Sequence, residues 1–303
     1  MWSTERESRL RSAAMAWLAV RTNDGLDPLT SEEIREFTFE GEKFLLMDYQ
    51  QGIRKPKELS SALSIRTTWR PEGAERPYDD SIGVDGLPRY KWRGDDPNHV
   101  ENRALRRAME SGVPLIWFWG VGTALYQAIF PIYLVGEERG DQQFVVATDG
   151  LQHLRPTISP VEEVLRRWVR TETTARLHQP VFRGMVMRAY KGKCAVCSLH
   201  HSELLDAAHI IEDRHELGVA AIRNGLALCK IHHAAYDANI LGVRPDLIVQ
   251  IRSDILNEVD GPLLKHGLQE LHDKRLREIP RSRSERPDEQ LLALRYDRFA
   301  HHR

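Results

Sequence analysis

Hydrophobic residues near the start of the chain recur at the spacing of one helix face. They lie three or four residues apart, at Leu10, Ala13, Ala14, Trp17 and Leu18. Further on, Thr30 is followed three residues later by Glu33, a capping box that predicts the start of a second, short helix. Together these patterns predict a helical segment over residues 1–36.

The hydrophobic pattern changes after residue 36. Up to residue 149 the apolar residues come in short runs separated by Gly, Pro and Asp, which is typical of strands joined by turns. The runs are Phe44–Met47, Ala62–Thr68, Leu115–Val121, Ile129–Val135 and Phe144–Thr148. We predict from them a β-rich domain over residues 37–155, built as a closed or half-closed barrel.

One uncharged stretch, residues 111–136, is long enough to cross a bilayer. Pro114, Gly120 and Pro131 interrupt it, and its aromatic and β-branched residues fall into two short runs. We therefore predict two buried strands here and no membrane partner.

Helices are predicted to join this domain to the rest of the chain. Ser159 is a typical N-cap residue, Pro160 suits the first turn of a helix, and the Glu162 carboxylate can reach back to the helix start. Residues 156–188 are therefore predicted to be a helical linker. The remainder, residues 189–303, ends with a predicted helix at Leu263–Leu276 and another at Pro287–Phe299.

The charge of the whole chain does not indicate nucleic-acid binding. Its 303 residues suit two domains, and their formal net charge is only −1. However, residues 164–193 carry eight Arg or Lys against one acid. Such a run is either a solvated helix face or a surface for DNA phosphates. On the second interpretation the phosphate contacts nearest the following motif are Arg183, Arg188, Lys191 and Lys193.

The three cysteines of the chain all fall in one short stretch with histidines. Cys194 and Cys197 form a first knuckle, and Cys229 and His232 form a second. Four such ligands suit tetrahedral Zn²⁺, although a lone CxxC could also be redox-active or plain scaffold. Thiols spaced for metal, with no apolar leader at the N-terminus, predict a cytoplasmic protein.

The residues between and after these knuckles resemble the HNH, or ββα-metal, nucleases. The resemblance covers about residues 189–242 and rests on Leu-Asp-Ala-Ala-His-Ile at 205–210, on Asn224-Gly225 and on His232-His233. It implies that His209 is the general base, that Asn224 braces the loop beside it, and that His233 binds a catalytic divalent ion. Each histidine alone would more often be an ordinary surface or core residue.

The sequence departs from the family at one metal-binding position. Many relatives carry Asp or His directly before the base, whereas this chain has Ala208. Asp206, Asp237 or water could supply the missing ligand. We favour Asp237, which lies four residues after His233 on a predicted helix, because Asp206 and His209 should point to opposite strand faces. The catalytic ion is expected to be Mg²⁺, Mn²⁺ or another divalent ion, separate from the zinc.

A segment of the β-rich domain resembles the SRA family, PUA-like barrels that flip a modified cytosine out of DNA. The resemblance covers roughly residues 37–149 and rests mainly on residues 77–94 and 102–115. It implies a base pocket made of Tyr78, Asp79, Asp80 and Tyr90, with two stacking rings and a carboxylate that accepts the exocyclic amine. Ser81 stands where the family has its key acid, so either Asp could read the base. Alternatively, the tyrosines are core aromatics and the two Asp a turn.

Together these patterns predict an α+β protein with an SRA-like domain joined by helices to an HNH nuclease domain. The expected function is restriction of double-stranded DNA that contains 5-methylcytosine or 5-hydroxymethylcytosine. A double-strand break needs two active sites, so a homodimer is expected. Three alternatives stay open: a front domain that senses another mark such as phosphorothioate, a front domain that senses none, and a DNA-binding protein with an inactive HNH site.

Overall fold

The computed structural model describes residues 1–70, 87–148, 179–212 and 221–301. It divides into two compact units, Met1–Val181 and Phe182–Arg303. Both units mix helices and strands, which confirms the predicted α+β class.

The first unit contains three helices and nine strands within its described residues. The helices are α1 (Thr4–Arg21), α2 (Ser31–Ile34) and α3 (Val100–Glu110). The strands are β1 (Leu29–Thr30), β2 (Thr38–Phe39), β3 (Glu42–Lys43), β4 (Ile53–Arg54), β5 (Ser64–Thr67), β6 (Arg89–Lys91), β7 (Leu115–Gly122), β8 (Leu125–Glu138) and β9 (Gln143–Ala147).

The N-terminal helices form as their sequence predicts. Leu10 and Leu18 of α1 are fully buried on the face that the periodicity marks. At α2 the Thr30 hydroxyl accepts from the Glu33 amide, and the Glu33 carboxylate accepts from the Thr30 amide. This reciprocal pair satisfies two of the amides that every helix start leaves open.

Seven strands of the first unit form one curled half-barrel sheet, in the order β4-β5-β7-β8-β9-β6, with β1 also paired to β8. Strands β5 and β7 are parallel, and the other pairs are antiparallel. The uncharged stretch at residues 111–136 supplies β7 and most of β8, as predicted. Across the described residues, no helix is long and apolar enough to cross a membrane. The SRA or PUA-like identity of this half-barrel stays a prediction.

The second unit consists of two short ribbons and several helices. Its described strands are β10 (Leu205–His209), β11 (Gly225–Cys229), β12 (Leu241–Val243) and β13 (Val249–Ile251). A helix that includes residues 179–189 (α4) precedes them. The later helices are α5 (Lys230–Asp237), α6 (Ser253–Leu256), α7 (Pro262–Gly267) and α8 (Glu289–His301).

The C-terminal residues complete the core of this unit. Leu271, Leu276 and Leu292 are buried in the same cluster as the residues of β10 and β11. The amides of Arg277 and Glu278 also donate to the Ala195 carbonyl inside the first cysteine knuckle, at 2.8 and 3.1 Å. The C-terminal extension is therefore an integral part of the second unit.

Candidate active site and metal centres

Strands β10 and β11 and helix α5 form a β-β-α unit. The strands pair antiparallel, from Leu205 opposite Cys229 to His209 opposite Gly225. Helix α5 begins directly after β11, with Cys229 as its N-cap residue. The unit therefore carries the second cysteine knuckle and His233 on one continuous strand and helix.

The four predicted zinc ligands lie together. One ligand atom from each of Cys194, Cys197, Cys229 and His232 falls within 4.8 Å of the others. His232 Nδ1 is 3.4 Å from the Cys194 sulfur and 3.1 Å from the Cys229 sulfur. Hydrogen bonds from Cys194 and then Cys197 lower the pKa of Cys229 and so favour the thiolate, the form that binds metal. This donor set fits tetrahedral Zn²⁺.

A backbone carbonyl orients the histidine of this cluster. His232 Nε2 lies 2.8 Å from the carbonyl oxygen of Gly267, at the end of α7. Since a carbonyl only accepts, Nε2 carries a proton and Nδ1 is the ring nitrogen on the side of the sulfurs, where it could bind an ion. Metal-ligating histidines commonly have such a partner on their second nitrogen. Gly267 was missed in the sequence, because no side-chain pattern marks a carbonyl that is 35 residues away in the chain.

A second possible metal centre surrounds His233. Its Nδ1 is 3.6 Å from the Asp206 carboxylate, and its Nε2 is 3.4 Å from the Asp237 carboxylate. Because the two carboxylates lie at different ring nitrogens, one ion could be shared by His233 with only one of them. Nitrogen and carboxylate donors suit Mn²⁺ or Mg²⁺. All three side chains are partly exposed, so a substrate oxygen could share the ion.

The preference for Asp237 over Asp206 stays a prediction, and the structure adds that the Asp206 carboxylate also contacts His233 of α5. Strand alternation places the buried Ala208 on the same face, two residues later. Both carboxylates therefore approach His233, each at a different ring nitrogen.

Asn224 holds the chain that follows His209. Its side-chain oxygen accepts from the Ile211 amide at 2.9 Å, and its side-chain nitrogen donates to the Ile211 carbonyl at 2.8 Å. Its own carbonyl accepts from the Ile210 amide at 2.9 Å. Asn224 is 1% exposed, so these hydrogen bonds are shielded from water. They fix the backbone directly after the predicted base.

His209 is the last residue of β10, and its ring stacks on Phe182. The two ring centroids are 3.9 Å apart and the ring planes differ by 9°. Phe182 is buried and belongs to α4, the helix before the first knuckle. The sequence gives no signal for this contact, since an apolar residue on a helix could face any part of the core.

The predicted phosphate contacts occupy different environments. Arg183 is buried, and its guanidinium donates to the carbonyls of Ser202 and Leu205 at 2.9 and 3.0 Å. Arg183 therefore holds the start of β10. It is not on the surface, where the predicted phosphate contact would need it. Arg188 pairs with Glu285, Lys193 lies 3.7 Å from Glu278, and Lys191 is exposed.

The predicted base pocket lies only partly within the described residues. Tyr78, Asp79 and Asp80 fall in residues 71–86, outside them. Tyr90, on β6, is 6% exposed, and its hydroxyl donates to the Gly52 carbonyl at 2.9 Å. Its ring packs edge-on against Trp117, with centroids 5.8 Å apart. Tyr90 therefore has the surroundings of a core aromatic, the alternative that the sequence left open.

Comparisons with known proteins place the nuclease motif in a family. Among solved structures, the modification-dependent TagI restriction endonuclease is similar at 17% identity, over 83% of this chain and 86% of TagI, with a TM-score of 0.30. The type IV phosphorothioation-dependent restriction endonuclease ScoMcrA is similar at 16% identity, over 62% of this chain and 48% of ScoMcrA, with a TM-score of 0.23. No curated protein matches the sequence. Residues 194–244 match the model of the HNH endonuclease family, so this chain carries an HNH endonuclease domain.

Proposed function

We propose that the chain is a divalent-metal-dependent DNA endonuclease whose front unit directs it to modified cytosine. The observation that supports cleavage best is the pair of carboxylates, Asp206 and Asp237, beside His233 of α5. Helix α5 follows the ribbon of β10 and β11, and Asn224 holds the backbone directly after His209. The match to the HNH endonuclease family, over residues 194–244, includes these residues and none of the front unit.

The proposed metal ligands are His233 and Asp237, which share one helix. An ion at His233 Nε2 would also meet Asp237, 3.4 Å away, and would leave Nδ1 facing Asp206. A carboxylate on the far side of a ligating imidazole fixes the ring and strengthens its basicity. Asp206 then orients the ligand, while Asp237 binds. When bound, the ion polarises the phosphate and stabilises the departing oxygen.

His209 removes a proton from the attacking water in the proposed reaction. The water oxygen forms a bond to phosphorus as the proton passes to the imidazole, and the bond from phosphorus to O3′ breaks. The products are a 5′-phosphate and, after O3′ takes a proton from solvent, a 3′-hydroxyl. Asn224 and Phe182 would keep the imidazole in place, the first through the following backbone and the second through its ring.

Nicking of supercoiled plasmid tests this function. The parent chain should convert supercoiled plasmid that carries 5-methylcytosine or 5-hydroxymethylcytosine to open circles and linear DNA in Mg²⁺ or Mn²⁺ and not in EDTA. His209→Ala should lose this activity, and His201→Ala, which removes an exposed histidine outside the site, should keep it. A parent chain that nicks neither modified nor unmodified plasmid in any divalent ion would reject the enzymatic proposal.

Modified cytosine is the proposed target because of the SRA-like residues at 77–94 and 102–115. Tyr78 with Asp79 or Asp80 would then hold the flipped base, and Tyr90 would support the pocket from the core. The test is digestion of matched plasmids that carry cytosine, 5-methylcytosine or 5-hydroxymethylcytosine. Equal digestion of all three would reject the target. Cutting only of phosphorothioate DNA would identify a different mark.

A further inference from the structure

A cleft of about 450 Å³ in the second unit connects the proposed catalytic face to the C-terminal helix. Asp237 of α5 lines one part of it. Arg295, Asp297, Arg298 and His301 of α8 line another. We call this space the α8 cleft. The family match ends at residue 244, so it includes none of the α8 residues.

Helix α8 is fixed firmly against the metal-bearing helix. The Arg295 guanidinium donates to the Tyr236 carbonyl and to the Asn239 side-chain oxygen, each at 2.5 Å. It also lies 4.5 Å from the centre of the Tyr236 ring. These contacts add a charged donor at the end of α5, where the Tyr236 carbonyl also accepts from the Asn239 amide.

Close packing of Phe299 fixes α8 a second time. The ring is buried against Gly242 of β12, where an added Cβ would come within 2.6 Å of it. Arg298 is the neighbour of this anchored residue in the chain. Its backbone is therefore held in place beside the cleft.

Arg298 carries a charge that no carboxylate of the described residues neutralises. Its side chain is exposed, and among the described residues no carboxylate lies within ion-pair distance of its guanidinium. The Arg295 guanidinium, in contrast, donates hydrogen bonds to Tyr236 and Asn239. Arg298 is therefore the cation in the α8 cleft that is available to a ligand.

The charge of the cleft depends on the catalytic ion. Among the described residues that line it, two arginines, Arg295 and Arg298, face three acids, Glu212, Asp237 and Asp297, which together give a net charge of −1 when His301 is neutral. A divalent ion held by Asp237 would change this sum to +1. The cleft should therefore attract an anion only when the ion is bound.

We propose that the α8 cleft binds a phosphate of the DNA backbone next to the scissile one, with Arg298 as its direct contact. This proposal rests on the proposed endonuclease function. Phosphate contacts of this kind fix the register of a protein on the duplex without reading its sequence. Helix α8 would thus set where the backbone lies relative to the ion at His233.

The salt dependence of DNA binding tests this contact. Binding of a labelled duplex is measured by fluorescence anisotropy at several KCl concentrations with Ca²⁺ present, in the full chain carrying His209→Ala so that the DNA stays intact. Arg298→Ala should reduce the slope of log K against log salt by about 0.9, the value for one lost phosphate contact. Arg298→Lys should keep the slope, and in EDTA Arg298→Ala should bind as its parent does.

Arg281→Ala is the matched control, because it removes an exposed arginine of the same extension outside the cleft. A slope for Arg298→Ala equal to that of its parent or of Arg281→Ala in Ca²⁺ would overturn the α8 contact. Nicking by the chain without these substitutions separates the two proposals. If it nicks plasmid and the slope is unchanged, only the α8 contact fails. If it neither nicks nor binds DNA, both proposals fail.

Discussion

Replacing Asn224 by Ala should cost both stability and cleavage. The side chain makes two hydrogen bonds to Ile211, at 2.9 and 2.8 Å, and only 1% of the residue is exposed. Alanine would leave the Ile211 amide and carbonyl buried without these partners, and each such group costs about 1–3 kcal/mol. We therefore expect the free energy of unfolding to fall by roughly 2–5 kcal/mol.

Thermal unfolding and plasmid nicking measure the two effects of this substitution. A loss of that size lowers Tm on the order of 10 °C in a domain of this length. Nicking should also fall at a temperature where the variant is still folded, because the backbone after His209 is no longer held. Asn224→Asp is the matched variant, since it retains the acceptor for the Ile211 amide but places a carboxylate oxygen against the Ile211 carbonyl. An Asn224→Ala protein with parental Tm and parental nicking would refute this reasoning.

Three further predictions concern the metal sites and the front unit. Cys194→Ser should lose zinc, measured by atomic absorption, and Tm together, because the binding energy of a structural zinc contributes to folding; retained zinc would contradict the four-ligand assignment. Asp237→Asn should raise the Mn²⁺ concentration for half-maximal nicking more than Asp206→Asn does, because Asp237 is proposed to bind and Asp206 to orient; the reverse order would exchange their roles. Tyr90→Ala should lower the free energy of unfolding of the front unit by about 3–5 kcal/mol, whereas Tyr90→Phe, which keeps the ring but loses the hydroxyl that donates to the Gly52 and Arg66 carbonyls, should cost about 1 kcal/mol. Urea unfolding checks the pair, and a stable Tyr90→Ala protein that binds modified DNA poorly would return Tyr90 to the base pocket.

The features that the sequence predicted well depend on short-range spacing. Cys194 and Cys197, and likewise Cys229 and His232, are brought close by a single turn of chain. The capping box at Thr30 and Glu33 is equally local. Such contacts form whenever the local backbone forms, so residue spacing is enough to anticipate them.

Other features depend on what lies across the core, which spacing does not encode. Arg183 and Tyr90 carry polar groups and could have faced a ligand, but backbone carbonyls elsewhere in their units accept their hydrogen bonds. The helix predicted at residues 263–276 is also shorter than expected. It ends at Gly267, whose carbonyl then receives the His232 hydrogen bond. The docking of α8 on α5 through Arg295 is a similar long-range contact.

The division of roles between the two histidines is the central claim, and a Mn²⁺ titration of plasmid nicking tests it most directly. For His209→Ala we expect a maximal rate about 10²–10⁴-fold below that of the parent at every Mn²⁺ concentration, with an unchanged half-saturating concentration, because a general base is lost and the ion site is not. For His233→Ala we expect the half-saturating Mn²⁺ concentration to rise. A His209→Ala protein that nicks at the parental maximal rate, or that needs only more Mn²⁺ to do so, would contradict the account.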